Sequence, residues 1–96
     1  MEILKVSSSS NPRAVAGAIA GIIRENGHAE IQAIGAGAVN QATKAAAIAR
    51  GFLELDGLDV VLVPTFTKVM VAGQEKTAVK LSIESRQGIA QMPVNE

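Results

Sequence analysis

The sequence predicts an α/β chain, an α+β two-layer sandwich of order β-α-β-α-β-β, with two helices on one face of a mixed four-stranded sheet. Three observations predict it. Two short strand-like runs each end in a serine- or glycine-rich turn, an alanine-rich stretch with helical spacing follows each turn, and the last third alternates apolar and polar residues about a glycine.

EILKV (Glu2 to Val6) reads as the first strand, and SSSSN (Ser7 to Asn11) ends it. The first helix has its signals in place. Asn11 suits the N-cap, Pro12 suits the first helical position, where an N–H would be unpaired anyway, and Gly27 suits a left-handed C-terminal cap. At 100° per residue Val15, Ile19, Ile22 and Ile23 share one side, with Arg13, Gly17, Gly21 and Arg24 roughly opposite. AEIQAIG (Ala29 to Gly35) is the second strand, and Gly35 and Gly37 turn the chain into a second helix over Ala38 to Leu53. Its inner arc is Ala38, Ala42, Ala45, Ala49 and Phe52; its outer arc is Asn40, Thr43, Lys44, Ala47 and Arg50. Such an inner arc keeps the helix axis near the sheet, and Gly17 and Gly21 are expected to permit a similar close approach, of the neighbouring helix or of another subunit. LDVVLVPTF (Leu58 to Phe66) is strand-like, and two alternating runs about Gly73, ending at Ser85, form a hairpin. Pro64 should mark an edge or a bulge. The domain thus spans residues 1–85, and 86–96 is expected to be a flexible tail.

With 96 residues the chain is one domain. Only Phe52 and Phe66 are aromatic, so Ile, Val, Leu and Ala must fill the core. Nine Lys and Arg against nine Asp and Glu remove the basic signature of a protein held on nucleic acid by bulk charge, so phosphate contact would have to be local. Without cysteine and with His28 alone, neither a disulfide framework nor a metal site is expected, and no cofactor motif is present. The apolar run Ala14 to Ile23 is only 10 residues, about half of the roughly 20 that span a bilayer. A soluble, cytoplasmic protein with no membrane partner is expected.

The turn GAGA (Gly35 to Ala38) admits two readings. Free N–H groups at a helix N-terminus can hold a phosphate, and the same glycines can simply let backbones pack closely. A dinucleotide fingerprint would need a third glycine where Asn40 stands, and a Walker loop would need Gly-Lys-Ser/Thr, which does not occur. The serine loop is equally two-sided, a phosphate site with Arg13 or a helix cap. Both turns leave a strand and enter a helix, which puts them at the strands' carboxyl edge. Lys44 and Arg50 are candidate contacts or plain surface charges, and Lys68, Lys76 and Lys80 on the hairpin could face a groove or solvent. No nucleophile or acid/base pair stands out, so no catalytic residue and no enzymatic activity is expected.

The stretch from MEILKV through VAGAIAG and AEIQAIGAGAVNQATKAAAIARGF to VPTF and LSIES resembles the stage V sporulation protein S family over about residues 1 to 85. That family is similar in fold to Alba-type proteins, small β-α-β-α-β-β dimers that bind DNA or RNA. The resemblance implies a noncatalytic role in bacterial sporulation control, including spore coat assembly and core dehydration, with nucleic acid as partner and a homodimer or tetramer as the assembly. Alba-type proteins carry lysines in the first strand-to-helix loop; here that loop is serine-rich, with Arg13 as its only charge, and Gln41 stands where the Alba second helix often has lysine. The expected nucleic-acid-binding residues are Ser9, Ser10, Asn11, Arg13, Gly37, Asn40, Gln41, Lys44 and Arg50. The alternative is a protein-interaction module in sporulation or spore-coat assembly that binds no nucleic acid directly.

Overall fold

A computed structural model describes residues 3–88. Along them lie β1 (Ile3–Val6), α1 (Pro12–Asn26), β2 (His28–Ala33), α2 (Ala36–Leu53), β3 (Leu58–Val71) and β4 (Gln74–Gln87), with a 3₁₀ turn over Glu54–Asp56 ahead of β3. The expected β-α-β-α-β-β order holds. Strands are arranged β1-β2-β4-β3; the first pair is parallel and the other two are antiparallel, which makes the sheet mixed.

Alternation decides which face is covered. Ala29, Ile31 and Ala33 of β2 are buried while His28, Glu30 and Gln32 between them are not. The buried set joins Leu81 and Ile83 of β4, Ile19 and Ile23 of α1, and Leu53 of α2 in one core under both helices. α2 contributes mostly methyl groups, from Ala38, Ala42, Ala45, Ala46 and Ala49, so little separates its backbone from its neighbours.

The helix ends follow local chemistry. Asn11 Oδ1 accepts from the backbone N–H groups of Arg13 (2.9 Å) and Ala14 (3.2 Å), Pro12 opens α1, and Gly27 closes it at φ 74° with its N–H on the Ile23 carbonyl. α2 begins two residues earlier than the sequence pattern implies. Its N-cap is Gly35 at φ 91°, ψ 159°, a backbone region open essentially to glycine alone.

The glycines divide differently from expectation. A Cβ at Gly17 or Gly21 would meet nothing within 4 Å among the described residues, so neither is required for close helix packing there. Gly37 does have that purpose: a Cβ there would sit 2.9 Å from Cβ of Ser8, and the first loop could not lie against α2.

β3 is a single 14-residue strand that passes straight through Pro64. Its register with β4 is unbroken from Leu58 opposite Gln87 to Val71 opposite Gln74, so Pro64 marks an edge strand and no bulge. Ala72 and Gly73, both at positive φ, form the two-residue turn that matches strand twist. β2 pairs with β4 only from Val79 to Glu84. Gln74–Ala78 and their partners Thr67–Val71 therefore continue past the sheet as a two-stranded arm, and the molecule is 54 Å long against 27 and 22 Å across.

At the other end β4 extends past Ser85. Arg86 and Gln87, assigned by sequence to the tail, are strand residues, and the Gly88 N–H donates to the Gly57 carbonyl at 2.9 Å. Residues 89–96, the rest of that tail, and Glu2 of the expected first strand lie outside the described residues.

Candidate nucleic-acid interface

Because β1 and β2 are adjacent and parallel, the loops that leave them emerge side by side at one edge. Two contacts join them. Gln41 Nε2 donates to the Ser10 carbonyl at 2.9 Å, and Gly37 abuts Ser8. Ser7, Ser8, Ser9, Asn11 and Gly35 to Gly37 are all exposed, so both helix N-termini face solvent from the same corner.

The two ends differ electrostatically. At α1 the Asn11 side chain already occupies leading amides, and the serines bond among themselves: the Ser7 N–H donates to Ser10 Oγ (2.9 Å) and the Ser9 N–H to Ser7 Oγ (3.3 Å). At α2 no side chain caps the helix. Gly35 to Gly37 are exposed there, and at the positive end of the helix dipole a phosphate oxygen would be stabilised.

The residues singled out by sequence take distinct places. Asn11 is a cap, Gln41 pins the serine loop, Ser9 and Ser10 shape that loop, and Gly37 makes room for it. Asn40 and Lys44 are exposed on the outer arc of α2, one turn apart. Arg13 lies in the first turn of α1, but its guanidinium lies over the Phe52 ring, 5.5 Å from the centroid. Arg50 is not brought to this corner. Ten residues beyond Asn40, about 15 Å along the helix, it ion-pairs with Asp59, which Arg86 holds from β4 at 2.9 Å.

Asp59 is 3% exposed, and both arginines donate to its carboxylate. The hydrogen bond from Arg50, with help from Arg86, outweighs burial and holds its pKa down to about 2. The same pairing raises the pKa of Arg50. This three-residue clamp ties the end of α2 to β3 and β4.

Sequence reasoning missed the arm's part in the corner. The arm projects from the same edge as the two loops, since Val79, its base, pairs with Ala33 at the end of β2. Across a cleft of about 590 Å³, Val69 to Val71 face Lys5, Ser7, Ser8 and Gln32. Across a second cleft of about 560 Å³, Phe66 and Thr77 face Val39, Asn40 and Thr43 of α2. Phe66 is 82% exposed. Its alternation with Leu62 and Pro64 marks the helix-covered side of the sheet; only the reach of the helices leaves it bare.

Charge is sorted between the ends. The half bearing the arm carries Lys5, Lys44, Lys68, Lys76 and Lys80 against Glu30 and Glu75 among the described residues, while the Arg13 guanidinium reaches toward the other end to lie over Phe52. The far half carries Glu25, Glu54, Asp56, Asp59 and Glu84 against Arg24, Arg50 and Arg86. Lys68 pairs with Glu75 and Lys80 with Glu30, both at 3.5 Å, while Lys5, Lys44 and Lys76 have no carboxylate of the described residues within ion-pair distance. The charges of the described residues are therefore unevenly divided between two unlike ends.

Among the described residues no helix is long and apolar enough to cross a membrane, and no three His, Asp or Glu side chains gather as metal ligands would. The family model of stage V sporulation protein S (SpoVS) matches residues 2–86 of the chain.

Proposed function

The chain belongs to the stage V sporulation protein S family, a sporulation-related group, and from that premise we propose that it is a noncatalytic regulator that binds nucleic acid, DNA or RNA, in the cytoplasm as an Alba-like homodimer or tetramer. The contact surface is the arm-bearing end, with Lys5, Lys44 and Lys76 as phosphate partners, the α2 N-terminus at Gly35 to Gly37 as a backbone anion site, and the serine loop beside it. Arg50 belongs to the clamp on Asp59 and not to this surface.

The observation that carries the reading is the sorting of charge. Screening at physiological salt acts over about 8 Å, far less than the 54 Å length of the molecule. A polyanion at the lysine-bearing end therefore feels little of the acids at the other. Titration with duplex and single-stranded DNA and RNA tests it: with about three phosphates engaged, log affinity should fall against log salt at a slope of about −2.7 on duplex and about −2 on single strands. Lys44→Ala should weaken every ligand alike and reduce that slope by about 1. Arg50→Ala should leave affinity in place and lower thermal stability instead. Absence of binding at high micromolar protein in low salt would refute the reading.

A second reading, a protein-interaction module, draws on the bare apolar side chains of Phe66 at the base of the arm, Met70 on it and Leu55 on the 3₁₀ turn, the last 96% exposed. It requires a partner that stays bound after nuclease treatment and is indifferent to Lys44→Ala.

A further inference from the structure

We propose that the cleft between the arm and α2 receives an unpaired nucleobase stacked on Phe66, so that the ligand is single-stranded nucleic acid, or an unpaired stretch within a folded one, in preference to continuous duplex. This rests on the nucleic-acid reading above and adds the form of the ligand to it.

Phe66 has no part in the core: the buried cluster closes without it, and its ring stands 82% exposed at the base of the arm. Its cross-strand partner Val79 fixes it on the face that looks toward α2, where Ala36, Val39, Asn40 and Thr43 form the opposite wall. The space between is about 560 Å³, within the ~300–1,000 Å³ typical of small-ligand sites. The walls are apolar apart from a few groups, and those groups are unequal. Thr43 Oγ1 donates to the Val39 carbonyl at 2.9 Å, whereas the Asn40 amide makes no side-chain hydrogen bond within the described residues. Asn40 therefore offers one donor and one acceptor to a base edge beside the ring.

The charges suit the flanking phosphates. Lys68 lies two residues from Phe66 on the same side of the arm, and Lys44 lies one turn from Asn40. Lys68 is shared with Glu75 at 3.5 Å across an exposed pair, which a phosphate can replace at little cost. An apolar ring between cations is the composition of a stacking platform. In continuous duplex the base faces are already stacked on one another, so the ring would reach one only by unstacking it.

The test uses the full chain with labelled single strands of about ten nucleotides and matched duplexes, in DNA and RNA, with 2-aminopurine at one position as a stacking reporter. Phe66→Ala should weaken single-strand binding roughly ten-fold, abolish the 2-aminopurine quench and leave duplex affinity within a factor of about two. Phe66→Trp should keep both affinity and quench, and since the ring is outside the core both variants should fold. Equal affinity of Phe66→Ala for single strands, or an equal loss on duplex and single strand, overturns the stacking site. A fall in solution mass of Phe66→Ala with unchanged affinity assigns the ring to a second copy of the chain and overturns it too. If the unaltered protein binds duplex and Phe66→Ala behaves identically on all ligands, only the stacking site fails; if it binds no nucleic acid at all, the broader reading fails with it.

Discussion

Gly37 and Asp59 show how single residues hold the two ends of this protein. Alanine at position 37 would gain helix propensity, yet its Cβ would come within 2.9 Å of Ser8 Cβ, an atom fixed to backbone. Gly37→Ala should therefore cost about 1–3 kcal/mol in urea unfolding and loosen the serine loop, visible as faster amide exchange at Ser7 to Ser10. Stability equal to or above the parent would contradict the contact. Asp59 acts at the far end. Its carboxyl titrates near 2 in the folded chain, below its ordinary 3.8, so the folded state holds its proton less tightly than the unfolded state does. The clamp's contribution is thus complete above about pH 4 and disappears as pH falls through 2. Asp59→Asn should remove that acid-dependent part, about 1–2 kcal/mol once the half-exposed arginines are discounted for solvent screening. Melting curves recorded from pH 2 to 6 would compare the two slopes.

At the scale of elements, α1 carries a cost it does not need for its own packing. Gly17 and Gly21 lie inside the helix with open space where a Cβ would stand. Gly17→Ala and Gly21→Ala should each stabilise an isolated chain by about 1 kcal/mol. If the glycine side of α1 instead meets another subunit, the same changes should lower the solution mass, so calorimetry and mass measurement together distinguish the two. The caps of α1 were legible because Asn11, Pro12 and Gly27 act within one turn of chain. The start of α2 was not, since Gly35 fills its N-cap through backbone conformation and leaves no side-chain signature. LDVVLVPTF and the run that leads into the Gly73 turn read as separate pieces, yet they form one strand, and on an edge strand the missing N–H of Pro64 leaves the pairing intact.

Taken whole, the molecule is charge-sorted along its length, and its salt response should show it. Reversing Lys5, Lys44 and Lys76 to Glu should abolish nucleic-acid binding without unfolding, whereas reversing Glu25 and Glu54 to Lys at the far end should change affinity by less than about three-fold at physiological salt. An equal effect from both sets would show that overall charge, and not its placement, governs binding. The sequence by itself determined the element order, the caps of α1 and the family. Those follow from hydrogen bonds and periodicities that act over a few residues. Only tertiary structure decided that Arg50 belongs to Asp59, that Lys5 and the arm join the serine loop, and that Phe66 stands bare. The reason is a difference in rise. α2 advances about 1.5 Å per residue and β3 about 3.4 Å, so a strand of 14 residues outruns the 18-residue helix that covers it, and what lies beyond the helix depends on where the sheet places its start.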